Sequence, residues 1–192
     1  MDLILLPGND AKNKEWIEWV AESVKARYDR RIVQYYDHWT KGGEISPEVE
    51  LKKLSELALG LEAKNIKKVA GEGKGEGKER VQEAGGYAVF GKSVGVVLAL
   101  GAIAQGAIAP KKCIFVGSAI GFGKRLGLPV EEWLIGLNDK QIPTVFIQQE
   151  NDPAISADDL ETLLQKIGFT DYQLIKVPGG DHIYKDLPLD SV

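Results

Sequence analysis

The chain has 192 residues, 44% of them hydrophobic and 27% charged, the size and make-up of one compact domain (1–192) with a full apolar core. A net charge of -4 and a pI near 5.3 exclude the basic footprint of a nucleic-acid binder or of a protein docked on an anionic membrane. The N-terminal apolar run is too short for a signal peptide and lacks a basic start, so it reads as a strand, and no run reaches spanning length without glycine or charge; the single Cys113 makes a reducing cytoplasm the expected location.

Residues 3–6 are a continuous aliphatic run stopped by Pro7-Gly8-Asn9-Asp10, the pattern of a buried strand and a sharp turn. A helix should follow, because Trp16, Trp19, Val20, Ser23 and Val24 recur at helical spacing and Asp10 stands where it can cap the first free amides. At least one of the two tryptophans belongs to the core. Residues 31–36 read as a second strand running into Asp37-His38-Trp39 and a Gly-Gly turn; His38 either lines a pocket there or joins a surface aromatic cluster with Tyr36 and Trp39. Pro47 opens a second helix bearing Val49, Leu51, Leu54, Leu57 and Leu61. Over 71–83 glycine alternates with charges of both signs and cannot bury enough apolar surface to offset its ordering entropy, so a mobile charged loop is expected.

The centre of the chain is Tyr87-Ala88-Val89-Phe90-Gly91-Lys92-Ser93-Val94-Gly95, an apolar strand leading through G-x-S-x-G into an apolar run of helix length. This is the sequence form of a nucleophile elbow: a serine is lifted onto a turn too tight for a Cβ on either side and held at a helix start, whose free amides favour an anion beside it. Residues 86–93 also spell G-x-x-x-x-G-K-S, the phosphate-loop pattern, but the four intervening residues are Tyr, Ala, Val and Phe. Such residues make a strand, not a flexible cradle of backbone donors. A nucleotide-binding protein stays open as an alternative.

A fourth strand is expected over 111–116, where Cys113 has the apolar setting of a buried structural thiol and, as the single cysteine, has no internal disulfide partner. Residues 122–137 hold short helical pieces around Trp133. A fifth strand over 144–148 ends in Glu150-Asn151-Asp152-Pro153. Ser156 then starts a helix with Leu160, Leu163, Leu164 and Ile167 on one face and Gly168 at its end. A last strand over 172–177 leads into Pro178-Gly179-Gly180-Asp181-His182 and a short final helix. Strands alternating with helices call for an α/β three-layer sandwich, about six strands in a mostly parallel sheet with helices on both faces. Ligands in such folds bind at the edge formed by the C-terminal strand ends, and Asn9, Asp10, Ser93, Asp152 and His182 all follow strands there.

A serine hydroxyl is a weak nucleophile and needs a base that is itself oriented by a carboxylate. The chain has two histidines. His182 lies after the last strand and Asp152 after the one before it, so the order is Ser, acid, His, as in the α/β-hydrolase architecture; Glu150 and Asp181 are the other carboxylates within range of that role. Together with Pro7-Gly8-Asn9 and the Trp16 and Trp19 pair, these motifs resemble the α/β-hydrolase superfamily, and within it the small lidless serine hydrolases of the retinoblastoma-binding-protein-nine type, over essentially the whole chain. The resemblance implies Ser93 as nucleophile, His182 as general base and acid, and Asp152 as its orienter. It also implies an oxyanion hole from the backbone N–H of Val94 and one from Asn9 or Asp10.

Relatives commonly carry His before the nucleophile, where this chain has Lys92. That side chain either reaches an acidic substrate group or points to solvent. Trp16 and His38 are further candidates for the substrate wall. Asp10 beside an oxyanion hole calls for its carboxylate to turn onto the helix amides, leaving only its backbone near the site. No His, Cys, Asp and Glu set has metal-ligand spacing, and no metal or other cofactor is expected. The short stretch between the fourth and fifth strands leaves no room for a cap domain, so the site should be open and suit small esters, thioesters or activated amides. Beside the small-molecule acyl substrate, a homodimer or another protein partner is open. The competing reading is a catalytically silent binding module that keeps the hydrolase shell and pairs with another protein.

Overall fold

The structure is a computed structural model describing residues 1–71 and 86–189, with residues 64–71 described by their backbone alone. Strand β1 (Asp2–Leu6) is buried throughout, and helix α1 (Asn13–Ser23) turns Ile17 and Val20 inward. Strand β2 (Arg31–Val33) is shorter than the expected 31–36. Its pairing with β1 ends when the Gln34 amide donates to Leu5 O, and side chains then take over. Tyr36 Oη donates to Pro7 O at 2.8 Å, and the Asp37 amide donates to Glu50 Oε1 at 3.0 Å. The chain therefore leaves the sheet and forms a four-residue helix, α2 (His38–Lys41), where the sequence reading placed only the strand end and a turn.

Helix α3 (Pro47–Gly71) is anchored at its start by buried Glu50, which accepts from Gln34 Nε2 at 3.0 Å and pairs with Lys53 at 2.9 Å. Lys53 also meets Asp37, whose carboxyl is held down at about 2 by its bonds to Lys41 and Lys53. Gly71 closes α3, and the rest of the loop expected over 71–83 lies outside the described residues.

Strand β3 (Tyr87–Lys92) is fully buried and runs into helix α4 (Val94–Ala104), whose residues 95–103 are all buried. Such an all-round apolar helix must be covered on several sides; α4 lies against the sheet, α3 and a later helix. Strand β4 (Lys112–Val116) is followed by helices α5 (Ile120–Arg125) and α6 (Val130–Asp139), the latter packing on α4 with the Trp133 ring over Gly101. Strand β5 (Thr144–Gln149) is buried on both faces. Helix α7 (Ala157–Lys166) is capped by Ser156 Oγ, which accepts from the Asp159 amide at 3.1 Å. Strand β6 (Tyr172–Val177) completes the sheet. After His182, residues 183–188 are bends and coil that lay Tyr184 and Leu187 onto the sheet; Leu189 enters a 3-10 turn, and the rest of the expected final helix lies outside the described residues.

The six strands run in the order β2-β1-β3-β4-β5-β6, every neighbouring pair parallel. Period-two alternation divides their side chains between two cores. Ile4, Leu6, Val89, Phe115 and Phe146 face α3, α4, α6 and α7, whereas Leu3, Leu5, Phe90, Ile114 and Ile147 face α1 and the C-terminal segment. Helices cover both faces, as the alternation in the sequence requires. Among the described residues no helix is long and apolar enough to cross a membrane.

Candidate active site

Ser93 stands between β3 and α4 with φ 55° and ψ -116°, a conformation that L residues seldom adopt. The turn is held by Ser93 N–H donating to Val116 O and Val96 N–H donating to Ser93 O, each at 3.0 Å. A Cβ on Gly95 would lie 2.3 Å from Leu6 O, and one on Gly91 3.0 Å from the Gly95 and Val96 backbone, so the two glycines of the motif are there for close approach. Residues 87–92 spend their amides in strand pairing with β1 and β4, which removes the phosphate-loop alternative.

Behind Ser93 an unbroken hydrogen-bond chain runs to Asp152. Ser93 Oγ lies 2.8 Å from His182 Nε2, and His182 Nδ1 lies 2.8 and 2.9 Å from the two Asp152 oxygens. A carboxylate only accepts, so Nδ1 carries the ring proton and Nε2 is free to accept from the serine. The alternative carboxylates are elsewhere: Glu150 is exposed, and Asp181 Oδ1 accepts from Gln149 Nε2 and from the Ile183 amide.

Three groups that the sequence reading did not single out complete this arrangement. Buried Tyr184 donates its hydroxyl to Asp152 Oδ2 at 2.6 Å while accepting from the Gln149 amide at 2.9 Å. Gln149 Oε1 accepts from the His182 amide at 2.9 Å, and its Nε2 donates to Asp181 and to Ile183 O, which holds His182 at its positive φ of 59°. Its neighbour Gln148 accepts from the Ser118 amide and donates to Ile155 O, each at 2.8 Å. The signal was there in two glutamines closing an apolar strand.

Burial raises the pKa of Asp152, but the bonds from His182, Tyr184 and the Ala154 amide outweigh it and leave the carboxyl below its ordinary value. Burial and the bond to Asp152 both drive the Tyr184 hydroxyl upward, so it stays a donor. A depressed carboxyl stabilises the fold above its ordinary pKa and loses that contribution as pH falls through the lowered value. Tyr184→Phe removes one donor, so the acid limbs of both unfolding and activity should move to higher pH; identical acid limbs in variant and parent would show that the hydroxyl does not act on Asp152.

The first loop lies against the elbow, as the Gly95 contact with Leu6 and Pro7 requires. Among the described residues the amides of Asn9, Asp10 and Val94 have no acceptor. Asp10 turns its carboxylate onto the Lys12 amide at 2.9 Å, just before α1 begins. Lys92 does not point to solvent: it is 6% exposed, with Nζ 3.0 Å from Asn13 Oδ1 and 5.5 Å from the Trp16 ring centroid, and burial lowers its pKa. Trp16 packs on Phe90 and donates to Tyr184 O at 2.7 Å, tying α1 to the histidine segment, whereas Trp19 is exposed. His38 stacks with Tyr36 and meets Trp39 edge-on, and its Nε2 is taken by Asn9 O.

Two concavities flank this region. One, of about 730 Å³, is bounded by Trp19, Val177, Ile183 and Leu187; the other, of about 400 Å³, by Ala11, Tyr35, Tyr36 and Trp39. Ser93 lines neither. Among the described residues no group of three or more His, Cys, Asp or Glu is placed to hold a metal ion.

No protein-family model and no curated protein matches the chain. Solved structures do. An uncharacterized protein from Bacillus cereus ATCC 10987 superposes with TM-score 0.65 at 18% identity over 99% of this chain, which spans 57% of that protein's length. Est1E from Butyrivibrio proteoclasticus, solved with ferulic acid bound, gives TM-score 0.65 at 14% identity over 100% of this chain and 84% of its own. A cold-adapted esterase from an Arctic intertidal metagenomic library gives 0.58 at 18% identity, over 97% and 76%. With an all-parallel six-stranded sheet, an elbow after its third strand and these neighbours, the chain has the α/β-hydrolase fold.

Proposed function

We propose that this protein is a serine hydrolase that cleaves small esters, thioesters or activated amides through an acyl-Ser93 intermediate. The observation that supports it is the continuous chain Ser93, His182, Asp152, each link 2.8 to 2.9 Å. His182 Nε2 takes the Ser93 proton as Oγ bonds to the substrate carbonyl carbon, and the carbonyl electron pair moves onto oxygen. Collapse of this tetrahedral species breaks the bond to the leaving group, which takes the proton from Nε2. Water then repeats the sequence, giving its proton to Nε2 and its oxygen to the acyl carbon, and Ser93 regains its hydrogen. Asp152, kept ionised by its three donors, balances the imidazolium in both halves.

The oxyanion is assigned to the amides of Val94 and of Asn9 or Asp10. Losing one such donor typically costs ~10² to 10³ in rate. An open site fits small acyl groups. Cys113, fully buried with a thiol pKa raised by that burial, is no competing nucleophile, and its lack of a partner suits a reducing cytoplasm. The likeness to the retinoblastoma-binding-protein-nine type is carried by the motifs alone.

A fluorophosphonate probe tests the reading, because it labels only an activated serine. Wild type should label, and both Ser93→Ala and His182→Ala should not. A folded wild type that stays unlabelled would favour the binding-module reading.

A further inference from the structure

The loop after β1 keeps its carbonyls and its amides apart. Tyr36 Oη donates to Pro7 O, His38 Nε2 and Trp39 Nε1 both donate to Asn9 O, and Asn13 Nδ2 donates to Asp10 O, all at 2.8 Å. A carbonyl only accepts, so His38 carries its proton on Nε2; its buried Nδ1 has no partner. Asn13 is in turn held at Oδ1 by Lys92, the residue before Ser93. Carbonyls 7, 9 and 10 are thus fastened by side chains, while the amides of Asn9 and Asp10 have no acceptor among the described residues.

In a trans peptide the N–H points opposite to the C=O of the same unit. Fastening Asn9 O to helix α2 therefore turns the Asp10 N–H away from α2. The loop itself is pressed on the elbow, through Leu6 and Pro7 on Gly95 and through Asn13 on Lys92.

We propose that Trp39, seconded by His38, is a positioning residue for the acyl transfer, holding the Asn9–Asp10 peptide in the orientation that leaves the Asp10 N–H free for the developing oxyanion. This rests on the serine-hydrolase reading above. Rotation of that peptide would do two kinds of harm, removing a donor and setting a carbonyl lone pair against a forming anion. An indole suits the task because its Nε1 is donor-only. The ring is held edge-on by Tyr36, with centroids 5.4 Å apart, and through Tyr36 and Asp37 this cluster is tied to Pro7 and the start of α3.

Trp39→Phe keeps an aromatic ring and deletes the donor, and adding His38→Phe deletes both. The measurements are steady-state hydrolysis of p-nitrophenyl acetate and the affinity of phenylboronic acid, which adds to the serine as a tetrahedral anion. With the peptide freed, kcat should fall about tenfold in the single variant and about 10²-fold in the double, approaching the loss of one oxyanion donor. KM should change little, and boronate affinity should fall in parallel with kcat/KM. A purely structural role would lower the melting temperature without that parallel. Unchanged kcat in both variants overturns the proposal, as does a kcat loss with full boronate affinity. A wild type that neither hydrolyses the ester nor labels with fluorophosphonate overturns the hydrolase reading, and the proposal with it, an outcome distinct from an active wild type with indifferent variants.

Discussion

Ser93→Ala should lower kcat/KM for an activated ester on the order of 10⁴-fold or more, with the melting temperature nearly unchanged. The hydroxyl's side-chain partner is His182 Nε2, and the fold rests on backbone bonds at this residue, Ser93 N–H to Val116 O and Val96 N–H to Ser93 O, which alanine keeps. The loss is large because the variant removes the hydroxyl proposed as the nucleophile, and the single thiol of the sequence, Cys113, is buried in the sheet. His182→Ala should cost a comparable factor and the double variant little more, since residues acting as one unit are not additive. Initial rates with p-nitrophenyl acetate, beside thermal melts, measure this. Residual turnover near the wild-type rate in Ser93→Ala would remove Ser93 as the nucleophile.

Gly95→Ala should destabilise the fold by about 3 kcal/mol or more, at the upper end of overpacking costs. The added Cβ would lie 2.3 Å from Leu6 O and 2.8 Å from Pro7 O, and both are backbone atoms of the loop entry, with no flexible side chain to give way. At ~2–4 °C per kcal/mol for a chain of this size, the melting temperature should fall by about 6–12 °C. Any surviving protein should also be slow, because relief of the clash displaces the loop that carries Asn9 and Asp10. Gly136→Ala is the control. It sits within α6 with nothing within 4 Å of its Cβ and should be neutral or raise stability by up to ~1 kcal/mol. Equal melting temperatures for Gly95→Ala and wild type would mean that the first loop does not abut the elbow.

The elbow and the alternation of strands and helices were legible because each is written in adjacent residues: Gly91, Ser93 and Gly95 within one turn, and apolar runs punctuated by glycine, proline and caps. The order of Ser93, Asp152 and His182 could also be read, since each follows a strand and parallel strands end on one edge. What escaped depended on partners far along the chain. Residues 34–36 carry a strand-like pattern, but Glu50 and Pro7 O draw that segment off the sheet. Lys92 reads as a surface residue until Asn13 and Trp16 close over it. Tyr184 looks like any aromatic of a tail; only the packing of residues 183–188 onto the sheet brings its hydroxyl to Asp152.

The glutamine pair at the end of β5 acts beyond the site it serves. All six residues of β5 are buried, so burial alone would tolerate a slip of one residue against β4 and β6. Gln148 and Gln149 point to opposite faces, one fastening the Ser118 and Ile155 backbone, the other the His182 and Ile183 backbone. A slipped strand would offer each amide to the wrong loop and leave buried polar groups on both faces unpaired. The pair thus proofreads the alignment of the sheet, and a molecule that has folded into a near-miss cannot hold His182 against Ser93.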